Sequence, residues 1–204
     1  KAAGVPFATM WGDIGDPKAI HAGLCERFGA AGRDDILHVR SFLDHDRPLV
    51  EPAAAGAAGC VEAAEAVAGE SDAAYVRSDG SVLPRAVVYR NLVEHMRRWA
   101  GVTGRHGLLL LEVHCLPVGA TARWRAEATS LHFDALQSWS GQLLVPAAHW
   151  QLALAHAGLL PDADLLCYPK GAAYTRITLQ RLVPTPAPCA GVRLATAADV
   201  PALL

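Results

Sequence analysis

The sequence predicts an α/β fold whose largely parallel sheet is closed by one antiparallel hairpin, and three observations predict it. A strand, a helix and a second strand follow one another over residues 5–39, and such a βαβ unit pairs its strands in parallel. Leu108, Leu109, Leu110 and Leu111 stand together inside the 107–113 run, which is the pattern of a central strand buried on both faces. Two terminal strands, 164–168 and 174–183, are separated only by Pro169-Lys170-Gly171-Ala172-Ala173. That link is too short for a crossover helix, so the pair is antiparallel.

Each element has its own local cause. Residues 5–10 are a short apolar strand ending at Gly12-Asp13-Ile14-Gly15. Asp16 then caps a helix that Pro17 can open, because Pro suits the first helical turn. Ile20, Leu24 and Phe28 fall on one stripe of it, and Gly29 or Gly32 ends it. Residues 35–39 form the next strand, opened by Asp34 and Asp35. Residues 51–74 are Ala- and Gly-rich, with Val61 and Val67 as their only larger apolar side chains. The wider stretch 51–80 reads as an insertion or lid over a site, or as a plain Ala-rich loop, and Asp79-Gly80-Ser81 within it is a turn. The clearest helix spans 84–99, with Val88, Leu92, Met96 and Trp99 as its stripe and Arg97-Arg98 near its carboxyl end. A long helical pattern covers 133–157; Pro146 must kink it or break it in two, and Gly158 stops it. The tail 185–204, rich in proline and alanine, reads as an interdomain linker.

Composition narrows the class. At 204 residues with 52% hydrophobic side chains and a formal net charge of -2, the chain is expected to be one soluble domain with a sizeable core. No basic surplus draws in nucleic acid. The five cysteines (25, 60, 115, 167 and 189) are scattered, odd in number and free of Cys-x-x-Cys pairs, which points to reduced thiols in a cytoplasmic setting. No apolar run approaches membrane-spanning length. Lys1-Ala2-Ala3-Gly4 has no initiator Met, so a domain excised from a larger protein is expected. No Gly-x-Ser-x-Gly elbow, P-loop or paired metal-binding histidine motif supports a hydrolase or a nucleoside-triphosphate enzyme.

The densest chemistry lies in 34–48, where a strand is followed at once by Arg40, Asp44, His45, Asp46 and Arg47. Charges just past the carboxyl end of a parallel strand sit where α/β sheets hold ligands; a solvated turn accounts for them as well. The segment His38-Val39-Arg40-Ser41-Phe42-Leu43-Asp44-His45-Asp46-Arg47 resembles the strand-four segment of S-adenosylmethionine-dependent C-methyltransferase domains of modular polyketide synthases, loading-module domains above all. Three further blocks carry the likeness in the same order. They are Phe7-Ala8-Thr9-Met10-Trp11-Gly12-Asp13-Ile14, then Asn91-Leu92-Val93-Glu94-His95 with Leu111-Glu112-Val113-His114, and Tyr174-Thr175-Arg176-Ile177.

The resemblance implies a class I methyltransferase, Rossmann-like sheet, with residues 1–184 its C-terminal portion and its first strands missing. No Gly-x-Gly-x-x-Gly loop for the cofactor's methionine end occurs. It implies that Gly12, Asp13 and Ile14 face the adenine of S-adenosylmethionine, Asp13 accepting from the amino group; a helix-capping turn is the alternative. Arg40 and Ser41 complete the cofactor side. His114, His45 and Arg40 are the implied catalytic set, with His114 as a base or a strand-end structural residue. In metal-dependent members a His and a Gln hold iron, so His114 and Gln142 are the implied ligands here for iron or manganese. Gln137 stands where that pattern has a histidine, and an amide oxygen is a weak ligand. Arg40 and Arg47 either bind a substrate carboxylate or pair with Asp44 or Asp46.

The implied activity is methyl transfer to the α carbon of an acyl thioester carried by the phosphopantetheine of an acyl carrier protein. The implied partners are that carrier and other synthase domains, with no nucleic acid and no membrane. A non-catalytic, methyltransferase-like scaffold domain is the alternative.

Overall fold

The computed structural model describes Gly4 and residues 7–30, 32–50, 75–162 and 164–186. The stretch 51–74, which holds most of the expected insertion or lid, and residues 187–204 of the expected linker lie outside the described residues, as do Val5 and Pro6.

Helix α1 (Pro17–Phe28) begins and ends as its sequence dictates. The Asp16 side chain accepts from the Ala19 amide at 3.1 Å, and Gly29 closes the helix in the left-handed region. Its stripe is shallow, because α1 packs on a helix and not on the sheet: Ile20 and Leu24 are half-buried and Phe28 is exposed. Residues 7–10 form no strand, contrary to the expectation. They lie over α1, where the Thr9 carbonyl accepts from Arg27 Nη1 at 3.0 Å and Met10 occupies the space a Cβ at Gly23 would need. The parallel unit is instead β1 (His38–Ser41), α2 (Arg85–Val102) and β4 (Leu108–Val113). Between β1 and α2, strands β2 (Tyr75–Val76) and β3 (Val82–Leu83) make a hairpin around the predicted Asp79-Gly80-Ser81 turn, which the Ser81 amide closes onto Asp79 Oδ1.

After β4 come α3 (Val118–Trp124) and α4 (Leu131–Trp139). The expected single helix over 133–157 is two. Pro146 is the N-cap of α5 (Ala147–His156) and itself bridges to Cys115 beside β4, and residues 142–145 before it are not helical. Gly158, at positive φ, then turns the chain into β5 (Leu159–Pro161), a strand the sequence pattern hid. The last hairpin is β6 (Leu166–Tyr168) with β7 (Ile177–Pro184), antiparallel as expected.

The sheet order is β1-β4-β7-β5, with β6 also on the outer side of β7. Since β7 is antiparallel to β4, β5 and β6 while β1 is parallel to β4, four strands share one direction and β7 alone opposes them. This is an α/β fold with a mixed sheet. One face is sealed by α2 and α5, whose Leu92, Met96, Trp150 and Leu154 bury against Leu108, Leu110 and Leu182. The other face stays half-open: Leu109, Leu111 and Val113 are only partly buried, and Val39 is 64% exposed. The expectation of a strand buried on both faces therefore fails for β4, because its cover among the described residues lies on one side. No helix among the described residues is long and apolar enough to cross a membrane.

The asymmetry predicts a difference between neighbours. Leu110→Ala is expected to cost about 2–5 kcal/mol of unfolding free energy, as large-to-small changes in sealed cores do, and Leu109→Ala less than half of that. Equal losses in urea titrations would show that both faces are closed.

Candidate functional site

The carboxyl end of β1 carries a group of buried charges that no isolated turn could hold. Alternation sends His38 and Arg40 to the sealed face and Val39 and Ser41 to the open one. Phe42 then takes φ 55°, a conformation that costs a bulky residue about 1–3 kcal/mol and marks a strand end shaped for more than pairing. A single 3-10 turn, Asp44–Asp46, follows. Arg40, Asp44, His45 and Arg47 are all buried, and they meet Asn91 and His95 of α2 and Glu112 of β4.

Every charge in this group has its partner. Arg40 forms an ion pair with Asp44 Oδ1, and its guanidinium lies 3.9 Å from the centre of the Trp99 ring. His95 Nε2 meets the same Asp44 oxygen at 2.8 Å, so the tautomer with its proton on Nε2 donates there. Burial alone would raise the Asp44 pKa, but Arg40, His95 and Arg47 outweigh it and hold the carboxyl below its usual range. Arg47 donates to Asn91 Oδ1 (2.8 Å) and to the carbonyls of Asp44, Leu143 and Val88. Burial brings its pKa down to about 10, which still leaves it charged at neutral pH. Of the two readings of the arginines, the structure has Arg40 paired with Asp44, not Asp46, and Arg47 spent on backbone and amide oxygens. Both guanidiniums are buried, and Arg40 Nε and Nη1 have no hydrogen-bond partner among the described residues.

Glu112 sets the geometry that matters most. Its Oε2 accepts from the Asp44 amide at 2.8 Å, and its Oε1 from His45 Nδ1 at 2.7 Å. The Leu143 amide fixes the same turn by donating to the His45 carbonyl at 2.6 Å. His45 is 7% exposed, and its Nε2 has no partner among the described residues. A buried carboxylate on one imidazole nitrogen fixes the tautomer and leaves the other nitrogen to accept a proton. This is the arrangement of a general base with its orienting acid.

The Gly12-Asp13-Ile14 turn lies beside this group. The Ile14 carbonyl accepts from Trp99 Nε1 at 3.1 Å, and a Cβ on Gly15 would come within 2.8 Å of Pro48, so the two loops touch. Asp13 is exposed. Its Oδ1 accepts from the Gly15 amide at 2.7 Å, which fixes the carboxylate while Oδ2 has no partner among the described residues. Ser41 is carried to the open face, away from Arg40.

His114 is placed elsewhere. It shares the sealed face with Glu112, is fully buried, packs edge-on against Trp150, and has Nε2 hydrogen-bonded to Thr178 Oγ1 at 2.8 Å. Burial lowers its pKa to about 3. So enclosed and so hard to protonate, the ring favours the strand-end structural reading over that of a base. Gln142 is half-buried with its Oε1 unpartnered among the described residues, and the Gln137 side chain lies outside them. Iron or manganese does not fit these donors. One His114 nitrogen is taken, Gln142 offers only an amide, and no group of three or more His, Cys, Asp or Glu side chains among the described residues is arranged for a metal.

Glu112, Asn91, His95 and Trp99 are the site residues that sequence reasoning did not select. Their signal was present: Glu112 is the one charge in an otherwise apolar strand, and Asn91 and His95, four apart, interrupt the buried stripe of α2.

Buried histidines make the fold acid-sensitive. Burial is the first cause holding His38, His95 and His114 below the usual value of 6.5, against a partial pull upward from Val102 at His38 and Asp44 at His95. Above that value the rings are neutral folded or unfolded and contribute nothing. Below it the unfolded chain takes up protons that the folded chain refuses, so stability falls. Asp44 acts in the same direction at lower pH, its contribution being lost as pH drops through its depressed folded value. Urea unfolding between about pH 7.5 and 5.5 should lose up to about 1.4 kcal/mol per pH unit for each histidine. A flat profile would mean that the rings protonate inside the fold.

One comparison with known proteins finds a family. The family model for the AprA MT2-like domain matches residues 1–180, and that span contains β1, β4, the Asp44–Asp46 turn and the Gly12-Asp13-Ile14 turn. A search of curated proteins finds no match. With nine-tenths of its length inside that family model, the chain belongs to the AprA MT2-like family of methyltransferase domains of the polyketide synthase type.

Proposed function

We propose that this domain transfers a methyl group from S-adenosylmethionine to the α carbon of an acyl thioester carried by an acyl carrier protein, with His45 as the base. The observation that carries the reading is the 2.7 Å contact between His45 Nδ1 and the buried Glu112 carboxylate at the carboxyl rim of the sheet.

The hard step in carbon methylation is removing a proton beside a thioester carbonyl. His45 Nε2 accepts that proton, the C–H pair becomes the enolate, and Glu112 stabilises the imidazolium that forms. Bound S-adenosylmethionine supplies a methyl on positively charged sulfur, whose leaving sulfide needs no acid. The enolate carbon must then be aligned with that methyl, and alignment of two reactants is what a rigid rim provides. The Gly12-Asp13-Ile14 turn suits the adenine end. Asp13 has a fixed carboxylate with one oxygen open, and Ile14 is anchored through its carbonyl.

The substrate side is supported by a cleft of about 550 Å³ between the β2–β3 hairpin and the end of α4. Val76, Arg77 and Gly80 line one wall and Trp139, Ser140 and Gly141 the other. Its hairpin wall is tied to the chain beside the His45 turn: Tyr75, next to Val76, donates to the Leu144 carbonyl at 2.5 Å, and the adjacent Leu143 is bonded to His45 and Arg47. An apolar wall with one cation and several small residues suits a slender pantetheine-borne chain better than a bulky ligand.

Two experiments test this. His45→Gln in the intact protein should lower turnover on an acyl carrier substrate about 10²–10⁴-fold, while His114→Gln should lower thermal stability far more than turnover. A fully active His45→Gln enzyme would sink the assignment of the base. Asp13→Ala should weaken S-adenosylmethionine binding roughly 10- to 100-fold, the worth of a charge-assisted hydrogen bond. Calorimetry showing unchanged affinity would take Asp13 out of the pocket.

A further inference from the structure

Trp99 is nearly fully buried near the end of α2, yet it is more than core. Its indole N–H donates to the Ile14 carbonyl at 3.1 Å, which holds the Gly12-Asp13-Ile14 turn. Its ring face carries the Arg40 guanidinium at 3.9 Å, and its ring meets His38 edge-on at 5.4 Å. Arg40 in turn pairs with Asp44, the Asp44 amide donates to Glu112, and Glu112 holds His45. One side chain thus joins the loop after residue 11 to the loop after β1. Among the described residues the approach of Gly15 to Pro48 is a further tie between these loops.

We infer that Trp99 is a positioning residue that fixes the cofactor-facing turn and the catalytic-base turn in one rigid unit, through its indole N–H on one side and its ring face on the other. The inference rests on the proposed roles of Asp13 and His45 and adds a residue that touches neither reactant. The two contacts are chemically separable. Phe keeps an aromatic face for Arg40 and loses only the N–H. Leu loses both, exposes the guanidinium, and frees the Asp44 amide from its fixed place on Glu112. Cation–π contacts of this kind strengthen when desolvated, as this one is.

The test uses the intact protein with Trp99→Phe and Trp99→Leu. In the absence of ligand, hydrogen exchange of the backbone amides at residues 12–16 should quicken in both variants, because the Ile14 anchor is gone in both. The S-adenosylmethionine Kd by calorimetry should rise about 3- to 10-fold in Trp99→Phe, the effect of one neutral hydrogen bond. In that variant KM for the cofactor should move more than kcat. Trp99→Leu should in addition lower kcat about 10- to 100-fold and move the acid limb of the kcat–pH profile, because the base itself is displaced. Exchange and Kd in Trp99→Phe matching the wild type would overturn the inference. So would a folded Trp99→Leu enzyme with the wild-type pH profile. An active His45→Gln enzyme would remove the base assignment instead, and the exchange and Kd measurements would still decide the tie to Ile14.

Discussion

The pairing of Arg40 with Asp44 is the constraint on which the rest of this structure depends. Both groups are out of water, and an unpartnered charge there would cost several kcal/mol. The pair forces its surroundings. His95 must stand opposite Asp44 on α2, and Trp99, one turn further, must lie flat on the guanidinium. Arg47 needs four acceptors, which fixes Asn91, Val88 and the Leu143 carbonyl around it. These contacts tie helix α2 to β1 and to the turn that follows it. The apolar stripe supplies most of the free energy of that docking and the charges supply its specificity.

What the sequence disclosed follows the range of the forces involved. Asp16-Pro17, the Asp79-Gly80-Ser81 turn, the stripe of α2 and the antiparallel closing hairpin are set by neighbours a few residues away, and all were legible. The misreadings are tertiary. Residues 7–10 look like a strand, but a short apolar run pairs only if an edge is available, and α1 offers it a better seat. The helical pattern over 133–157 contains a non-helical segment whose backbone is tied elsewhere, Leu143 to His45 and Pro146 to Cys115. Pro146 is then the start of a helix and not a kink within one. A four-leucine strand says that both faces are apolar, and nothing in it says which face will be covered.

The site was half legible for a related reason. Spacing alone puts positions 108, 110, 112 and 114 on one face of β4, so Glu112 and His114 were bound to point the same way. The Trp150 ring, 36 residues downstream of His114, closes over it and leaves Glu112 reaching the Asp44–Asp46 turn. The family likeness drew attention to the histidine of that strand. The proposed chemistry rests instead on the glutamate and, through it, on a histidine nearly seventy residues earlier.

This also changes which residues bear on whether such a domain is a catalyst or a scaffold. Keeping Arg40, Asp44, His95 and Glu112 says little about catalysis, because each is buried in one charge network and its loss would strand a charge in the core; the atoms they leave unpartnered among the described residues, Arg40 Nε and Nη1, Asp44 Oδ2 and His95 Nδ1, are shut into that core. A domain that did no chemistry would still need them to fold. The informative groups are those whose spare capacity is not enclosed in the core. His45 spends Nδ1 on Glu112 and has no partner for Nε2 among the described residues, while a folding role alone would be met by any donor that reaches that carboxylate. Asp13 spends one oxygen on a turn that Asn or Ser would close as well. An unspent imidazole nitrogen and an unspent carboxylate oxygen, on two touching loops at one end of the sheet, are what a catalytic rim requires and a scaffold does not.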